Sequence, residues 1–472
     1  MPQEDFFNSF PEAASIFNKH VENGSLIRLV THNDADGLSS GGILAIAALR
    51  KGARFKISSE KKLDDKLIAR LVEEKPDLIV FSDFGSGYLD LIAESLKQDV
   101  IVLDHHLPMD YQAENIIHIN PMLHEIDGAR DIAASGVSYF LAKAIDPKNK
   151  DLAGLALIGA LGDQQDKGER KSLTGLNTII ESEAEENHIL EKHVGLIFYG
   201  YETRPIAKAI AYTTLPYIPG LSGNEGNCVA FLKQIDIEIL EGDKLRALAD
   251  LEDEEKTRLF SALSNHMVSS GCDSKAIHQL IGTIYTFKLE EPSTALRSGR
   301  EYGSLLNACG RMDKQGLGLG VVMGDRGEAM VEAQETLEGY RRTIGQALDW
   351  VQMNEKVEEM ENIYVIRAED NVNDTVIGVV SGILLSQGIL KKMKPIIATA
   401  VSEEDQLKVS ARGIEELVEQ GIHMGKIMQE AAEQVEGGGG GHDIAAGAYI
   451  PVKGEKKFLM EVDRLVGMFF DN

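Results

Sequence analysis

Histidine and aspartate alternate in a short segment near the start of the chain. His32, Asp34 and Asp36 occupy every second position, directly after the apolar run at residues 26–30. Side chains at positions i, i+2 and i+4 of an extended segment point the same way, so these three could bind one divalent cation. The alternative interpretation is a polar loop in which one carboxylate caps the helix that follows.

Three later segments also carry aspartate or histidine directly after an apolar run, and their residues are Asp83, the triplet Asp104-His105-His106, and Asp163. Taken singly, each aspartate could be a turn residue or a helix cap. Together, carboxylates and imidazoles in a chain without a Cys-x-x-Cys pair indicate a site for Mn²⁺ or Mg²⁺ rather than a zinc–thiolate centre. Two such ions about 3.5–4 Å apart can activate water for the hydrolysis of a phosphoester.

The elements between these residues must bring them together. Strand-like runs at residues 26–31, 53–58, 77–82 and 100–103 alternate with helical patterns at 38–50, 63–73 and 89–97. This alternation predicts an α/β fold with a parallel sheet and helices on both faces. Ligands of such sheets bind at the carboxyl ends of the strands, which is where most of the candidate residues lie.

The length of 472 residues predicts more than one domain. We expect a catalytic core over residues 1–165 and a mainly helical insert or connector over 166–325 that completes the first lobe. A smaller α/β domain is expected over 326–472, with the active site in the cleft between the two. Its predicted elements are a helix at 332–359, strands at 363–367, 396–401 and 407–412, a helix at 376–384, and a glycine run at 437–441.

Composition limits the classes of partner. The net charge of −27 excludes a protein that coats nucleic acid by long-range attraction alone. It is compatible with an enzyme of nucleic acids whose metal-filled cleft is locally positive. No apolar run reaches the roughly 18 residues that cross a bilayer, so no membrane association is expected. The acidic N-terminus lacks a signal-peptide pattern, which predicts a cytoplasmic protein.

The four N-terminal motifs, taken in order, resemble those of the DHH phosphoesterase superfamily, which is named after its Asp-His-His triplet. The segment Gly440-Gly441-His442-Asp443 is similar to the glycine-glycine-histidine signature of the second domain associated with that superfamily. Both signatures, in this order and at this length, resemble the archaeal branch of the RecJ exonucleases, the GINS-associated nuclease type. That branch is related to the eukaryotic replication protein that joins the replicative helicase and GINS.

The resemblance implies a role for each candidate ligand. One ion would be bound by His32, Asp34 and Asp83, and the other by Asp36, Asp83, His105 and Asp163. Asp83 would bridge the two ions, and a water between them would attack the phosphorus. His106 would contact the scissile phosphate, while Asp104 would orient the two histidines.

The resemblance also implies a substrate-binding loop in the second domain. Backbone N–H groups of Gly439, Gly440 and Gly441 would cradle the substrate strand, and His442 would contact a phosphate or sugar. Ser410 and Arg412 match the phosphate-binding segment of the family. Judged by composition alone, the glycine run could also be a flexible linker, and Arg412 could be a surface arginine in an ion pair.

We therefore expect a single-strand-specific exonuclease that acts on DNA, RNA or both in replication or repair, with two Mn²⁺ or Mg²⁺ ions. One alternative is an oligoribonuclease or cyclic-dinucleotide phosphodiesterase, because the catalytic motifs are shared. Another is a replisome scaffold that binds GINS and the helicase. Bacterial members carry an additional OB-fold domain. Here residues 456–470 read as one helix after the glycine-histidine signature, so we expect a partner to supply the grip on the strand.

Overall fold

A computed structural model of the chain describes residues 2–213, 216–272, 274–386, 390, 393–402 and 405–470. The chain divides into two units. The first contains Met1–Tyr212 and Gly223–Leu337, and the second contains Thr213–Ser222 and Glu338–Asn472. Each described helix is too short or too polar to cross a lipid bilayer.

A parallel sheet forms the centre of the first unit. Its strands are β1 (Leu26–His32), β2 (Arg54–Glu60), β3 (Leu78–Ser82), β4 (Asp99–Leu103) and β5 (Ile116–Ile119). Within the described residues their order is β2-β1-β3-β4-β5, with every neighbouring pair parallel. All residues of β3 are buried, as expected for an apolar strand that is covered on both faces. The predicted parallel α/β fold is confirmed.

Helices cover both faces of this sheet. They are α1 (Pro2–Asn8), α2 (Phe10–Glu22), α3 (Ala35–Arg50), α4 (Asp65–Glu74), α5 (Leu89–Ser95), α6 (Ala134–Ile145) and α7 (Ala153–Gly162). On one face, Leu71 of α4 and Ile92 of α5 pack against Phe81 and Val102. Helices α2, α3 and α6 also contact the strands, and α7 packs on α3 and α6.

The rest of the first unit joins helices to two strand pairs. Its elements are α8 (Asn177–Glu186), β6 (Leu190–Leu196), α9 (Ile206–Ala211), α10 (Glu225–Gln234), β7 (Leu240–Glu241), β8 (Lys244–Leu245), α11 (Asp253–Ser269), α12 (Ser274–His278), β9 (Ile281–Phe287), α13 (Gly299–Arg311) and α14 (Gln315–Val322). Strand β6 pairs with β9 and β7 with β8, both antiparallel. Helix α13 packs against α7, α3 and α14, which brings it beside the ends of the central sheet.

The second unit is built on a mixed sheet. Its elements begin within α15 (Glu328–Met353) and continue as β10 (Val357–Glu359), β11 (Tyr364–Arg367), α16 (Asp374–Ser386), β12 (Ile396–Val401), β13 (Gln406–Arg412), α17 (Glu415–Glu419), α18 (Met424–Glu433), β14 (Gly438–Gly441), β15 (Ala445–Pro451) and α19 (Glu455–Phe470). The described strand order is β10-β11-β12-β13-β15-β14. Residues of α17, α18 and α19 share a core with one face of the sheet, and α16 contacts β12 and β13.

The helix predicted at residues 332–359 is wrong at its C-terminal end. Helix α15 ends at Met353, and residues 357–359 form strand β10, which pairs with β11. Glu355 has a φ of 48°, a left-handed conformation that a continuing α-helix does not accept.

The glycine run was predicted to be a loop, and this is wrong for most of it. Residues Gly438–Gly441 form the edge strand β14, paired with β15, and the turn begins at His442. A Cβ atom at Gly439 would lie 2.7 Å from the carbonyl oxygen of Met428 in α18. The glycines therefore allow a helix to pack directly on a strand, which is a packing role rather than a flexible one.

Candidate metal centre

The candidate ligands of the first unit lie where the direction of the sheet reverses. From β1 the chain first adds β2 on one side and then β3 on the other. Such a reversal opens a crevice at the carboxyl ends of the strands, and ligands bind there. His32 is the last residue of β1, Asp83 directly follows β3, and Asp104 directly follows β4.

One group of ligands forms around His32. Its Nδ1 atom lies 2.9 Å from Asp34 Oδ2 and 3.3 Å from Asp83 Oδ2. Burial alone would lower the pKa of His32, but the two carboxylates raise that pKa well above its usual value. The same three side chains converge closely enough to hold one metal ion.

The extended segment in which His32, Asp34 and Asp36 were predicted to point the same way ends at Asp34. Helix α3 starts at Ala35, and Asp34 caps it because its Oδ1 accepts a hydrogen bond of 2.9 Å from Gly37 N–H. Asp34 therefore caps the helix, as the second interpretation predicted, and its Oδ2 also lies beside His32. Asp36 lies in the first helical turn and belongs to a different group of side chains, so the prediction that it shares one side with His32 is wrong.

A second group forms around His105. Its Nε2 atom lies 3.3 Å from Asp83 Oδ1, 3.5 Å from Asp163 Oδ2 and 3.7 Å from Asp36 Oδ2. Asp163 directly follows α7. Asp36 is fixed by accepting hydrogen bonds from Ala134 and Ser135 N–H, at the start of α6. Asp83 thus contributes one oxygen to each group, which is the geometry of a bridging carboxylate.

The hydrogen bonds of His105 indicate that a cation belongs beside it. Its Nδ1 lies 2.6 Å from the carbonyl oxygen of Gly128, which can only accept, so Nδ1 carries the proton. In the neutral ring, Nε2 then directs its lone pair at carboxylate oxygens. Nε2 and Asp83 Oδ1 are both buried and make no well-aligned hydrogen bond with any described residue. A divalent ion would satisfy all of these atoms at once, so the residues fit a metal centre.

The carboxylates of this group repel one another. Burial and the charge of Asp83 raise the pKa of Asp36 to about 7. Burial and the neighbouring carboxylates also raise the pKa of Asp163 well above its usual value. Burial alone would lower the pKa of His105, yet the surrounding carboxylates raise it. Neighbouring carboxylates contribute to the raised pKa of all three groups, and a bound cation would neutralise this buried negative charge.

His106 differs from His105 in its exposure. The side chain of His106 is 42% exposed, whereas that of His105 is 1% exposed. Asp104 Oδ1 lies 2.8 Å from His106 Nδ1, and Asp104 Oδ2 accepts a hydrogen bond from Ser86 N–H. Asp104 thus orients the exposed ring. His106 also lies in a third convergent group with Asp83 and His105, so it is within reach of the same ions.

The backbone of Asp83 is unusual for a residue other than glycine. Its φ angle is 66°, in the left-handed region. Strained conformations of this kind cluster at functional sites. Its amide donates a hydrogen bond to Leu103 O on β4, which ties the turn to the neighbouring strand end.

Several supporting residues were not predicted from the sequence. Asn120 follows β5, and its Nδ2 donates to Ser86 Oγ and to the carbonyl oxygen of His106, both at 2.8 Å. Gln165 Nε2 donates to the carbonyl oxygen of Gly128 that also holds His105. The signal for Asn120 was another strand end of the same kind as those of β1, β3 and β4, but the four-residue run before it contains a histidine and is too short to recognise.

The predicted substrate-binding residues lie in the second unit. Ser410 and Arg412 occupy β13 two positions apart, and a Cβ atom at Gly378 of α16 would contact both side chains. Arg412 Nη1 also donates to Ala411 O. The turn after β14 meets the start of α18, where the carbonyl oxygen of His442 accepts a hydrogen bond from Gly425 N–H.

Three domain families match the chain. The DHH family, N-terminal domain, matches residues 26–160, the DHH-CID domain matches 198–281, and the DHHA1 domain matches 361–468. An uncharacterized protein of Methanocaldococcus jannaschii is 33% identical over 460 residues, which cover 96% of each protein.

Solved structures resemble the whole chain in fold. RecJ from Thermus thermophilus in complex with Mn²⁺ has a TM-score of 0.59 and 17% identity over 98% of this chain and 55% of RecJ, so the chain spans about half the length of that protein. CDC45 from Entamoeba histolytica has a TM-score of 0.65 and 12% identity over 98% of this chain and 99% of CDC45. The Thermus RecJ has also been solved with Mg²⁺.

The domain families and the fold agree with the motifs read from the sequence. The convergent aspartates and histidines lie within the DHH domain and just after it, and they could hold metal ions. The chain therefore belongs to the DHH superfamily and shares its fold with RecJ.

Proposed function

We propose that the chain is a two-metal phosphodiesterase that acts as a single-strand-specific exonuclease on DNA, RNA or both, in replication or repair. The observation that supports this best is the position of Asp83, whose two oxygens face two ligand groups at the reversal point of the sheet. A shared carboxylate can hold two ions at the short separation that two-metal phosphodiesterases use. The fold likeness to RecJ, whose structures contain Mn²⁺ or Mg²⁺, agrees with it.

Each ligand has a proposed role. His32, Asp34 and Asp83 hold one ion, and Asp36, Asp83, His105 and Asp163 hold the other. When bound, two divalent ions supply an activated water and positive charge for the oxygens of the phosphoester. Gly128 keeps the proton of His105 on Nδ1, so that Nε2 remains a ligand. The capping bonds at the start of α6 keep Asp36 in place.

His106 is the proposed contact to the scissile phosphate. Burial would lower its pKa, but Asp104 raises it, so the ring tends to be charged and both nitrogens can donate. Asp104 accepts a hydrogen bond from Nδ1–H, and Nε2–H is the proposed donor to a phosphate oxygen. A charged donor of this kind stabilises the negative charge that develops on the phosphoryl oxygens.

The remaining segments have proposed roles as well. Residues 1–165 form the catalytic core, 166–325 complete the first lobe, and 326–472 bind the substrate strand. In the last segment, Arg412 and Ser410 contact phosphates, and the residues from Gly439 to His442 contact the strand through backbone groups and one imidazole. Because backbone amides do not read bases, binding through them tolerates any sequence.

Digestion of labelled strands tests the proposal. Single-stranded DNA and RNA, labelled at either end, are incubated with the full chain and Mn²⁺ or Mg²⁺. We expect mononucleotides from single strands and little product from duplexes. Exclusive cleavage of dinucleotides or cyclic dinucleotides would contradict the exonuclease and favour the small-substrate alternative. The labelled end that is released first gives the direction of digestion.

The variant Asp83→Ala distinguishes hydrolysis from the binding of partner proteins. Removing a shared ligand should lower the rate by more than about a hundredfold, because even residues that only support ligands cost 10–100-fold. Asp90→Ala, at an exposed position of α5, is the matched control and should not change the rate. If Asp83→Ala remained as active as the control, the metal centre would be misassigned. A scaffold that binds GINS or the helicase would keep that binding in both variants.

A further inference from the structure

Asn307 of α13 joins two of the segments that carry candidate metal ligands. Its Oδ1 accepts a hydrogen bond of 3.0 Å from the N–H of Ala35, which lies between two of the aspartates. Its Nδ2 donates a hydrogen bond of 3.2 Å to the carbonyl oxygen of Gly162, which directly precedes a third aspartate. One side chain therefore connects the start of α3 to the end of α7.

The orientation of this amide follows from its partners. A backbone N–H can only donate and a backbone carbonyl can only accept, so Oδ1 must face Ala35 and Nδ2 must face Gly162. Of the common side chains of similar size, a carboxylate could make the first contact but not the second. Leucine could make neither.

Helix α13 approaches both segments without intervening side chains. Gly303, Asn307 and Gly310 are spaced by four and three residues, so they share one face of the helix. A Cβ atom at Gly303 would lie 3.0 Å from Gly162 Cα, and one at Gly310 would lie 1.6 Å from the carbonyl oxygen of Asn33. Asn33 Nδ2 in turn donates to Gly310 O at 3.2 Å. The amide of Asn307 is thus held in place between the two segments.

We propose that Asn307 is a positioning residue for the metal centre. It fixes the distance between Asp163 and the segment that carries Asp34 and Asp36. These three aspartates contribute to both ligand groups. Metal ligands must be held within about 0.5 Å of the productive geometry, and hydrogen bonds from outside the ligand set provide that precision. This inference rests on the proposed pair of bound ions, and it concerns α13, which carries none of the proposed ligands.

Binding of Mn²⁺ to the full chain tests this role without any nuclease assay. Titration of the metal-free protein gives the number of ions and their affinities, and electron paramagnetic resonance reports whether two Mn²⁺ ions are close enough to couple. Asn307→Ala should weaken the binding of at least one ion by about 10–100-fold and remove the coupled signal. Asn187→Ala is the control, since Asn187 makes a comparable side-chain bond to Glu183 O elsewhere in the unit.

Thermal unfolding in the presence of a chelator distinguishes positioning from a general loss of stability. If Asn307→Ala does not fold, Asn307→Asp replaces it, because that variant keeps the contact to Ala35 and loses the one to Gly162. A folded variant with the wild-type coupled signal and affinities would overturn the inference and leave the proposed function intact. A wild-type chain that binds fewer than two Mn²⁺ ions would overturn both.

Discussion

The two sheets present chemical groups in different ways. In the first unit, the candidate groups are charged side chains at the ends of parallel strands, and Asp36, Asp83 and His105 are at most 1% exposed. In the second unit, they are the backbone of the half-exposed glycine strand β14 and Arg412 at the end of β13. One site concentrates charge inside the protein, and the other offers hydrogen-bonding groups at a surface.

The two regions are suited to different ligands. Buried carboxylates that repel one another are costly unless a cation neutralises them, so the first region is suited to holding metal ions. Backbone amides and one arginine carry little net charge and cost little to expose. They suit contact with a phosphate backbone without reading bases. Variants in the first unit should therefore change metal binding, and variants in the second should change stability or strand binding alone.

The largest effect is expected when substitutions of the two adjacent histidines, His105 and His106, are compared. His105→Ala removes a buried nitrogen that faces three carboxylates and should weaken Mn²⁺ binding by more than about a hundredfold. His106→Ala should leave Mn²⁺ binding within about threefold of the wild type and still lower the rate of hydrolysis, because that ring is exposed and is the proposed contact to the substrate. Calorimetric titration with Mn²⁺ and a nuclease assay measure the two effects. Equal losses of metal in both variants would make His106 a ligand.

An intermediate effect is expected at the glycine strand. Gly439→Ala forces a methyl group against the carbonyl oxygen of Met428 and should destabilise the second unit by about 1–3 kcal/mol. Gly438→Ala is the matched control, because no described atom lies within 4 Å of its Cβ position, and it should stay within about 0.5 kcal/mol of the wild type. Thermal unfolding compares the two. Equal stabilities would mean that α18 does not pack tightly on β14.

The smallest effect is expected from Arg412→Ala. Loss of one phosphate contact should weaken single-strand binding by about tenfold and reduce the slope of log K against log salt by about 0.7. Mn²⁺ binding should not change. Arg464→Ala, which removes an exposed arginine of α19 paired with Glu461, should alter neither quantity. Fluorescence anisotropy at several salt concentrations measures both variants. An unchanged slope for Arg412→Ala would remove Arg412 from the strand-binding surface.

Much of the fold could be predicted from the sequence because its signals are local. Apolar β-branched runs marked β1 to β4 and β12 and β13 to within about two residues. The short strand β5 was not predicted, because four residues are too few to show a hydrophobic period. The glycine strand β14 was not predicted for a different reason. Its extended conformation depends on pairing with β15 and on packing against α18, and local composition indicates neither contact.

The candidate site could be predicted in its residues but not in its geometry. Aspartate and histidine after apolar runs identified the candidate ligands, and the family resemblance supplied their grouping. The sequence could not indicate that Asp36 is held by the start of α6, or that Asn307 lies beside the ligands from a helix far along the chain. Both contacts depend on tertiary packing between elements that are distant in sequence.

The left-handed backbone of Asp83 links activity to stability. An aspartate held at a φ of 66° costs about 1–3 kcal/mol relative to glycine, and its carboxylate adds repulsion within the cluster. In the presence of a chelator, the variant Asp83→Gly should therefore unfold at a higher temperature than the wild type. We expect no hydrolysis by this variant, because it lacks the proposed shared ligand. Because the proposed ligands are brought together only in the folded chain, Mn²⁺ should stabilise that state, and the wild type should recover this deficit as the ion concentration rises. The supply of metal would then set how long the protein survives heating, in addition to how fast it acts.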